Sequence, residues 1–172
     1  MATQTASRTD RASETQGNVS REQLVALLNE DLSREYQAII AYVVYSQVLK
    51  GAEYMSIADQ LEKHAAQELQ HALTVARQID YLGGMPTVQP KPVKTSDKAE
   101  EMLRFDLNNE NETVRNYRQR VRQRVLAQRL ALADPLAEQI RQILVQEQDH
   151  QIDLATALGE DVPDVTAPEE RA

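Results

Sequence analysis

The chain has 172 residues, about one domain's worth, with 41% apolar and 27% charged residues and a formal net charge of −8. It contains no cysteine, which excludes disulfide frameworks, thiolate zinc sites, iron-sulfur clusters and cysteine nucleophiles, so any metal must be held by oxygen and nitrogen. The acidic balance argues against nucleic acid or an anionic membrane as the main partner, and the scarcity of Gly, Pro and aromatic residues suits long helices, so the expected class is all-α.

Residues 1–18 are polar and predict a loosely ordered arm. The first twenty residues have no apolar core for a secretory signal and no later run is apolar enough to span a membrane, so a cytoplasmic protein is expected. Ser20 with Gln23 forms a capping-box pattern that opens helix A. Leu24, Leu28, Leu32, Glu35, Ile39 and Tyr42 follow at steps of four and three, the stripe of an amphipathic helix. Helix A should end near Lys50 with Gly51 beyond it.

Helix B is expected over about residues 54–82, with the stripe Ile57, Leu61, His64, Glu68, His71, Val75 and Ile79. Gly83 and Gly84 stop it, and Pro86, Pro90 and Pro92 favour an extended connection. Thr95 or Ser96 can cap helix C, whose stripe is Leu103, Leu107, Glu110, Val114, Tyr117, Val121 and Val125. Asp134 and Pro135 form a cap and first-position pair for helix D, which carries Leu136, Ile140, Ile143, Glu147, His150, Leu154 and Leu158 and closes at Gly159. The organisation expected is an arm over 1–18, a bundle over 19–159 and an acidic tail over 160–172.

Helices of about 30 residues are ~45 Å long. The A to B and C to D joints are short, so each pair must form an antiparallel hairpin. The link between the second and third helices, about 13 residues, reaches roughly 43 Å when extended, enough to cross the bundle. The expected architecture is therefore an antiparallel four-helix bundle of two hairpins joined by a long crossover, the connectivity of ferritin-like bundles.

The chemistry lies where polar residues interrupt the stripes. Each helix places one glutamate on its core-facing seam: Glu35, Glu68, Glu110 and Glu147. Two are followed three residues later by a histidine, as Glu68-Leu69-Gln70-His71 and Glu147-Gln148-Asp149-His150, and such pairs lie side by side on a helix. An unpaired ionised carboxylate in an apolar seam costs several kcal/mol, and four converging ones also repel one another. No Lys or Arg falls on the seam positions of these stripes, whereas two divalent cations would balance the four negative charges and neutral imidazoles would complete their shells. Oxygen with imidazole suits iron or manganese, with zinc able to compete.

At these residues the sequence resembles the ferritin-like di-iron carboxylate superfamily and, within it, the bacterioferritins and Dps-like mini-ferritins. The segments Glu35-Tyr36-Gln37-Ala38-Ile39-Ile40-Ala41-Tyr42 and Glu100-Glu101-Met102-Leu103-Arg104-Phe105-Asp106 are similar to bacterioferritin segments around the single glutamates, and the likeness covers about residues 20–158. It implies two iron ions per chain: Glu35 and His71 on one, Glu110 and His150 on the other, and Glu68 and Glu147 bridging them, with all six residues serving as the catalytic set. It also implies a ferroxidase that oxidises Fe(II) with dioxygen or hydrogen peroxide, for iron storage and peroxide detoxification. Leu69 stands where bacterioferritins place a haem-ligating methionine, which argues against haem. The acidic tail is too short and polar for their fifth helix, which favours a dodecameric shell over a 24-mer. The competing reading is a di-iron or di-manganese peroxidase or oxygenase without storage.

Three features stand outside that set. His64 shares the helix B stripe and reads as a hydrogen-bonded histidine near the site more than as a further ligand. Tyr42 could donate a hydrogen bond or an electron there, or simply pack in the seam. Arg115, Arg118, Arg120, Arg122, Arg124 and Arg129 form a basic run that fits intersubunit salt bridges or a solvated face better than DNA.

Overall fold

Ser20 opens the first helix as its spacing predicts. Its hydroxyl accepts the Gln23 N–H at 3.2 Å, and the Gln23 side chain accepts the Ser20 N–H at 2.8 Å. In the computed structural model of the chain the backbone is described for residues 19–127 and 135–165, and side chains for 19–122 and 135–165. The helices are α1 (Arg21–Val48), α2 (Met55–Tyr81), α3 (Ala99–Ala127) and α4 (Pro135–Leu158), with a 3-10 turn at Ala52–Tyr54. No strand occurs among the described residues, and none of their helices is long and apolar enough to cross a membrane. The expected arm, much of the acidic tail and the Asp134 cap lie outside the described residues.

The ends differ in detail from the sequence expectation. α1 stops at Val48, where the Leu49 N–H returns to Tyr45 O at 3.0 Å. Gly51 is not the residue that ends α1; at φ +125° it turns the chain into the 3-10 turn that leads to α2. α3 begins at Ala99, later than a cap at Thr95 or Ser96 would place it. Ser96 nevertheless organises the approach by accepting the Lys98 N–H at 3.1 Å and donating to Glu101 at 2.7 Å.

α1 packs chiefly on α2 and α3 on α4, which makes the two hairpins. Residues 82–98 then run alongside α1 towards its C-terminal end. Asn29 Oδ1 accepts the Thr87 N–H at 2.7 Å, Ser33 O accepts the Lys91 N–H at 3.0 Å, and Gln37 donates to Pro92 O at 2.6 Å. The Tyr45 hydroxyl donates to Lys94 O. These bonds satisfy backbone groups that an extended, proline-rich segment cannot pair with itself. α3 therefore starts at the far end of the bundle and runs antiparallel to α1.

Two apolar clusters fill the interior. One gathers Tyr42, Tyr45, Leu61, Leu103 and Leu154; the other gathers Leu28, Leu32, Val75, Ile79, Ile140 and Ile143. Between them along each helix lies a buried polar layer containing the four seam glutamates. Of the stripe residues whose side chains are described, Ile39, Val121 and Leu158 are only half-buried, the first two at the edge of their helix's inward arc and Leu158 at the end of α4.

Candidate metal centre

The polar layer brings all six sequence-selected residues together. Glu35, Glu68, His71, Glu110, Glu147 and His150 are each between 1% and 3% exposed. One ligand atom each from Glu35, Glu68, His71 and Glu147 lie within 4.8 Å of one another, and so do ligand atoms of Glu68, Glu110, Glu147 and His150. Glu68 and Glu147 belong to both sets. His71 Nδ1 stands 3.0 Å from Glu147 Oε1, 3.3 Å from Glu68 Oε2 and 3.4 Å from Glu35 Oε2. His150 Nδ1 stands 2.8 Å from Glu68 Oε1 and 3.4 Å from Glu147 Oε2. Each shared glutamate thus turns one oxygen to each histidine.

Many of these atoms have no hydrogen-bond partner: Glu35 Oε2, Glu68 Oε1, Glu110 Oε2, both oxygens of Glu147, and His150 Nδ1. His150 Nδ1 and Glu68 Oε1 are close but poorly aligned for a hydrogen bond. Buried polar atoms are nearly always satisfied, so a converging group of orphans fits a bound cation. The donor set, carboxylate oxygen and imidazole nitrogen without thiolate, fits a pair of hard divalent ions.

The electrostatics record the strain of collecting these charges without an ion. Burial and the neighbouring Glu147 push the Glu68 and Glu110 carboxyls well above the ordinary range. Burial also works to raise Glu147, but the His150 and His71 imidazoles beside it outweigh that and hold its carboxyl at about 2. For His71, burial favours the neutral ring, yet the Glu147, Glu35 and Glu68 carboxylates around its Nδ1 raise its pKa. His150 is likewise raised, with burial opposed chiefly by Glu147. Each of these shifts traces to carboxylates and imidazoles crowded into one buried layer.

Around the six stands a supporting set that the stripes only partly reveal. The Tyr42 hydroxyl donates to Glu110 Oε1 and the Tyr117 hydroxyl to Glu35 Oε1. Each of α1 and α3 thus steadies the glutamate of the other and leaves its second oxygen free for the centre. Tyr42 combines two of the roles expected for it, since it is fully buried and also a donor. Tyr117 counts in the sequence reading only as a packing residue. The signal for its role is a repeat: Asp31-Leu32, Glu35 and Tyr42 match Asp106-Leu107, Glu110 and Tyr117 in spacing.

His64 has the expected hydrogen-bonded setting, with Nε2 at 3.1 Å from Asp153 and 3.3 Å from the Gln60 amide. Its ring stacks on His150 with centroids 4.1 Å apart. Burial and the neighbouring His150 push its pKa down to about 4. Gln60 and Asp153 also line a cleft of about 300 Å³ between α2 and α4, so His64 stands between that cleft and the cluster.

The basic run needs correction at one position. Arg120 is buried, and it bonds Asp31 within the same chain at 2.8 and 3.2 Å. A cation therefore does reach the interior, three residues beyond Tyr117, where the 3.6-residue period leaves room for either Arg120 or Val121 to face inward. Arg122 is exposed, and the side chains of Arg124 and Arg129 lie outside the described residues.

A family model for the ferritin-like domain matches residues 25–163. Among solved structures, the chain is similar to a ferritin-like, diiron-carboxylate protein from Bacillus anthracis str. Ames, with a TM-score of 0.72 and 30% identity over 80% of this chain and 96% of that one. It is also similar in fold to a dodecameric thioferritin, the bacterioferritin-related protein from Bacteroides fragilis, with a TM-score of 0.70 and 23% identity over 83% of this chain and 88% of that one. The family match spans every helix just described, from the first turns of α1 to beyond the end of α4, and on that ground the chain belongs to the ferritin-like family.

Proposed function

We propose that the chain is a ferroxidase of a ferritin-like shell, taking Fe(II) as substrate and dioxygen or hydrogen peroxide as oxidant, for iron storage and peroxide detoxification. The observation that carries the reading is the convergence of six buried donors, five of which carry an atom without a hydrogen-bond partner. Glu35 and His71 are assigned to one Fe(II), Glu110 and His150 to the other, and Glu68 and Glu147 are shared. Manganese or zinc would compete for the same oxygen and imidazole donors.

Two Fe(II) held together would each supply one electron to the same oxidant, so that hydrogen peroxide, taking up two protons with them, would go to two waters without releasing a hydroxyl radical. Hard carboxylate oxygens favour the Fe(III) product. Binding takes the carboxylate and neutral-imidazole forms of the donors, so metal uptake is coupled to proton release. Tyr42 and Tyr117 hold the terminal glutamates in place as that charge changes.

Assembly into a cytoplasmic twelve-subunit shell belongs to the same proposal. Its supports are the dodecameric Bacteroides fragilis protein and the exposed apolar residues Ile40 on α1 and Val88 of the crossover, which line one groove, an apolar stretch of the kind that subunit contacts cover.

The test loads metal-free protein anaerobically with Fe(II) and adds oxygen or peroxide in parallel. The wild type should oxidise Fe(II) rapidly, and the double variant Glu68→Ala/His71→Ala should lose that rapid phase; an unchanged rate would sink the assignment. Retention of only about two irons per chain after size-exclusion chromatography would favour a non-storage redox enzyme.

A further inference from the structure

Each histidine of the cluster is held from behind by a glutamine of the other hairpin. Gln67 Oε1 lies 2.9 Å from His150 Nε2, and Gln146 Oε1 lies 2.6 Å from His71 Nε2. An amide oxygen only accepts, so both Nε2 atoms carry a proton and donate. Both Nδ1 atoms are thereby turned to the carboxylates. The two glutamines occupy matching places, directly before the shared glutamates, as Gln67-Glu68 and Gln146-Glu147. One residue is about 100° around a helix, so a glutamate facing the centre puts its preceding neighbour on the flank. α2 and α4 run antiparallel, and the flank of each therefore meets the histidine of the other.

We propose that Gln67 and Gln146 are positioning residues that act crosswise: Gln67 sets the ring of His150 and Gln146 sets the ring of His71. Each hairpin thus orients the imidazole ligand contributed by the other. The inference rests on the di-metal reading above. A carboxylate at either place would orient the ring equally well but would add a negative charge where four carboxylates already balance two divalent cations. The neutral amide fixes the ring and leaves that balance unchanged. The two glutamines are not equivalent. Gln67 is half-buried and Gln146 is exposed, and water competes for the ring N–H at an exposed acceptor, so Gln67 carries the larger effect.

The chain has only three histidines, so the ring N–H signals of the full-length protein with ¹⁵N-labelled histidine can be assigned one by one. They would be read in the metal-free and Zn(II)-loaded forms. Gln67→Leu should abolish or broaden the His150 Nε2–H signal and spare that of His71. Gln146→Leu should do the reverse, more weakly. Gln67→Glu, which keeps the acceptor, should restore the His150 signal. In Co(II) titrations followed by visible absorption, the wild type should take up two ions per chain. Gln67→Leu should weaken one of them by about 10- to 100-fold, with no further loss on a His150→Ala background and the full loss on a His71→Ala background. Signals that respond along the same hairpin, equally at both rings or at neither would overturn the crosswise assignment. Crosswise ring signals in a wild type that takes up no Co(II) would instead overturn the di-metal reading.

Discussion

Two aspartates at matching places in the repeat meet different fates. Asp31 is pushed up to about 6 by burial, against the pull of the Arg120 guanidinium that bonds both its oxygens. Removing Arg120 alone would strand a buried carboxylate at a cost of about 3–5 kcal/mol. At the place that matches Arg120 the chain has Tyr45, whose hydroxyl is engaged by Lys94 O. Asp106 has a hydrogen bond to Asn109 but no partner for Oδ2, and burial holds its carboxyl well above the usual 3.8. A folded-state pKa raised above the unfolded value gives stability that is fully present below the unfolded value and is lost as pH rises through the folded one. Asp106→Asn keeps the neutral form at every pH, so in metal-free protein its stability relative to wild type should climb as pH rises from 5 to 8. Urea unfolding at a series of pH values measures this, and a constant difference would refute it. The six cluster residues were legible in the sequence because each interrupts an apolar stripe at an inward position. The Asp31–Arg120 pair was not, because a buried arginine is recognisable only beside its partner and that partner lies on another helix.

At the scale of elements, the helices and their pairing followed from periodicity, the Ser20 cap and the length of the connections. The path of residues 82–98 did not, since it depends on side chains of α1 that reach out to hold it. Asn29 is the clearest case, bonding both Met85 O and the Thr87 N–H. Gly84 illustrates the same limit. The sequence marks it as a helix stop, whereas the structure also shows that a Cβ there would press into Val25 of α1 and crowd Ile79. Gly84→Ala should therefore destabilise by about 1–3 kcal/mol through overpacking while leaving the helical circular dichroism nearly unchanged. Stability within error of wild type would show that the crossover can move away from α1 without cost.

For the whole molecule, the candidate centre stands between two apolar clusters that each draw on several helices. Four carboxylates buried together repel one another and lose hydration, which weakens that middle layer. Metal loading should therefore stabilise the fold well beyond any surface effect. At free metal about 100 times the dissociation constant, each site contributes ~2.7 kcal/mol. Zn(II) should raise the melting temperature of metal-free protein by several degrees, and a chelator should return it; a melting point indifferent to Zn(II) would contradict the assignment of these residues as ligands. The hairpin-crossover-hairpin connectivity was legible because a long proline-rich link between two short-jointed helix pairs permits few other arrangements. Subunit number was not, because it depends on surfaces whose partner is another chain.

The composition of the two ligand sets also fixes an order of events. One set takes Glu35 from α1, Glu68 and His71 from α2, and Glu147 from α4; the other takes Glu68 from α2, Glu110 from α3, and Glu147 and His150 from α4. Neither is complete without α4, the last of these four helices to be synthesised. A nascent chain displaying only α1 and α2 holds three of the six donors and lacks the second shared carboxylate. If these donors hold metal ions, their full grip would come only once α4 has docked on the other three helices, so a half-made chain would not carry the complete centre.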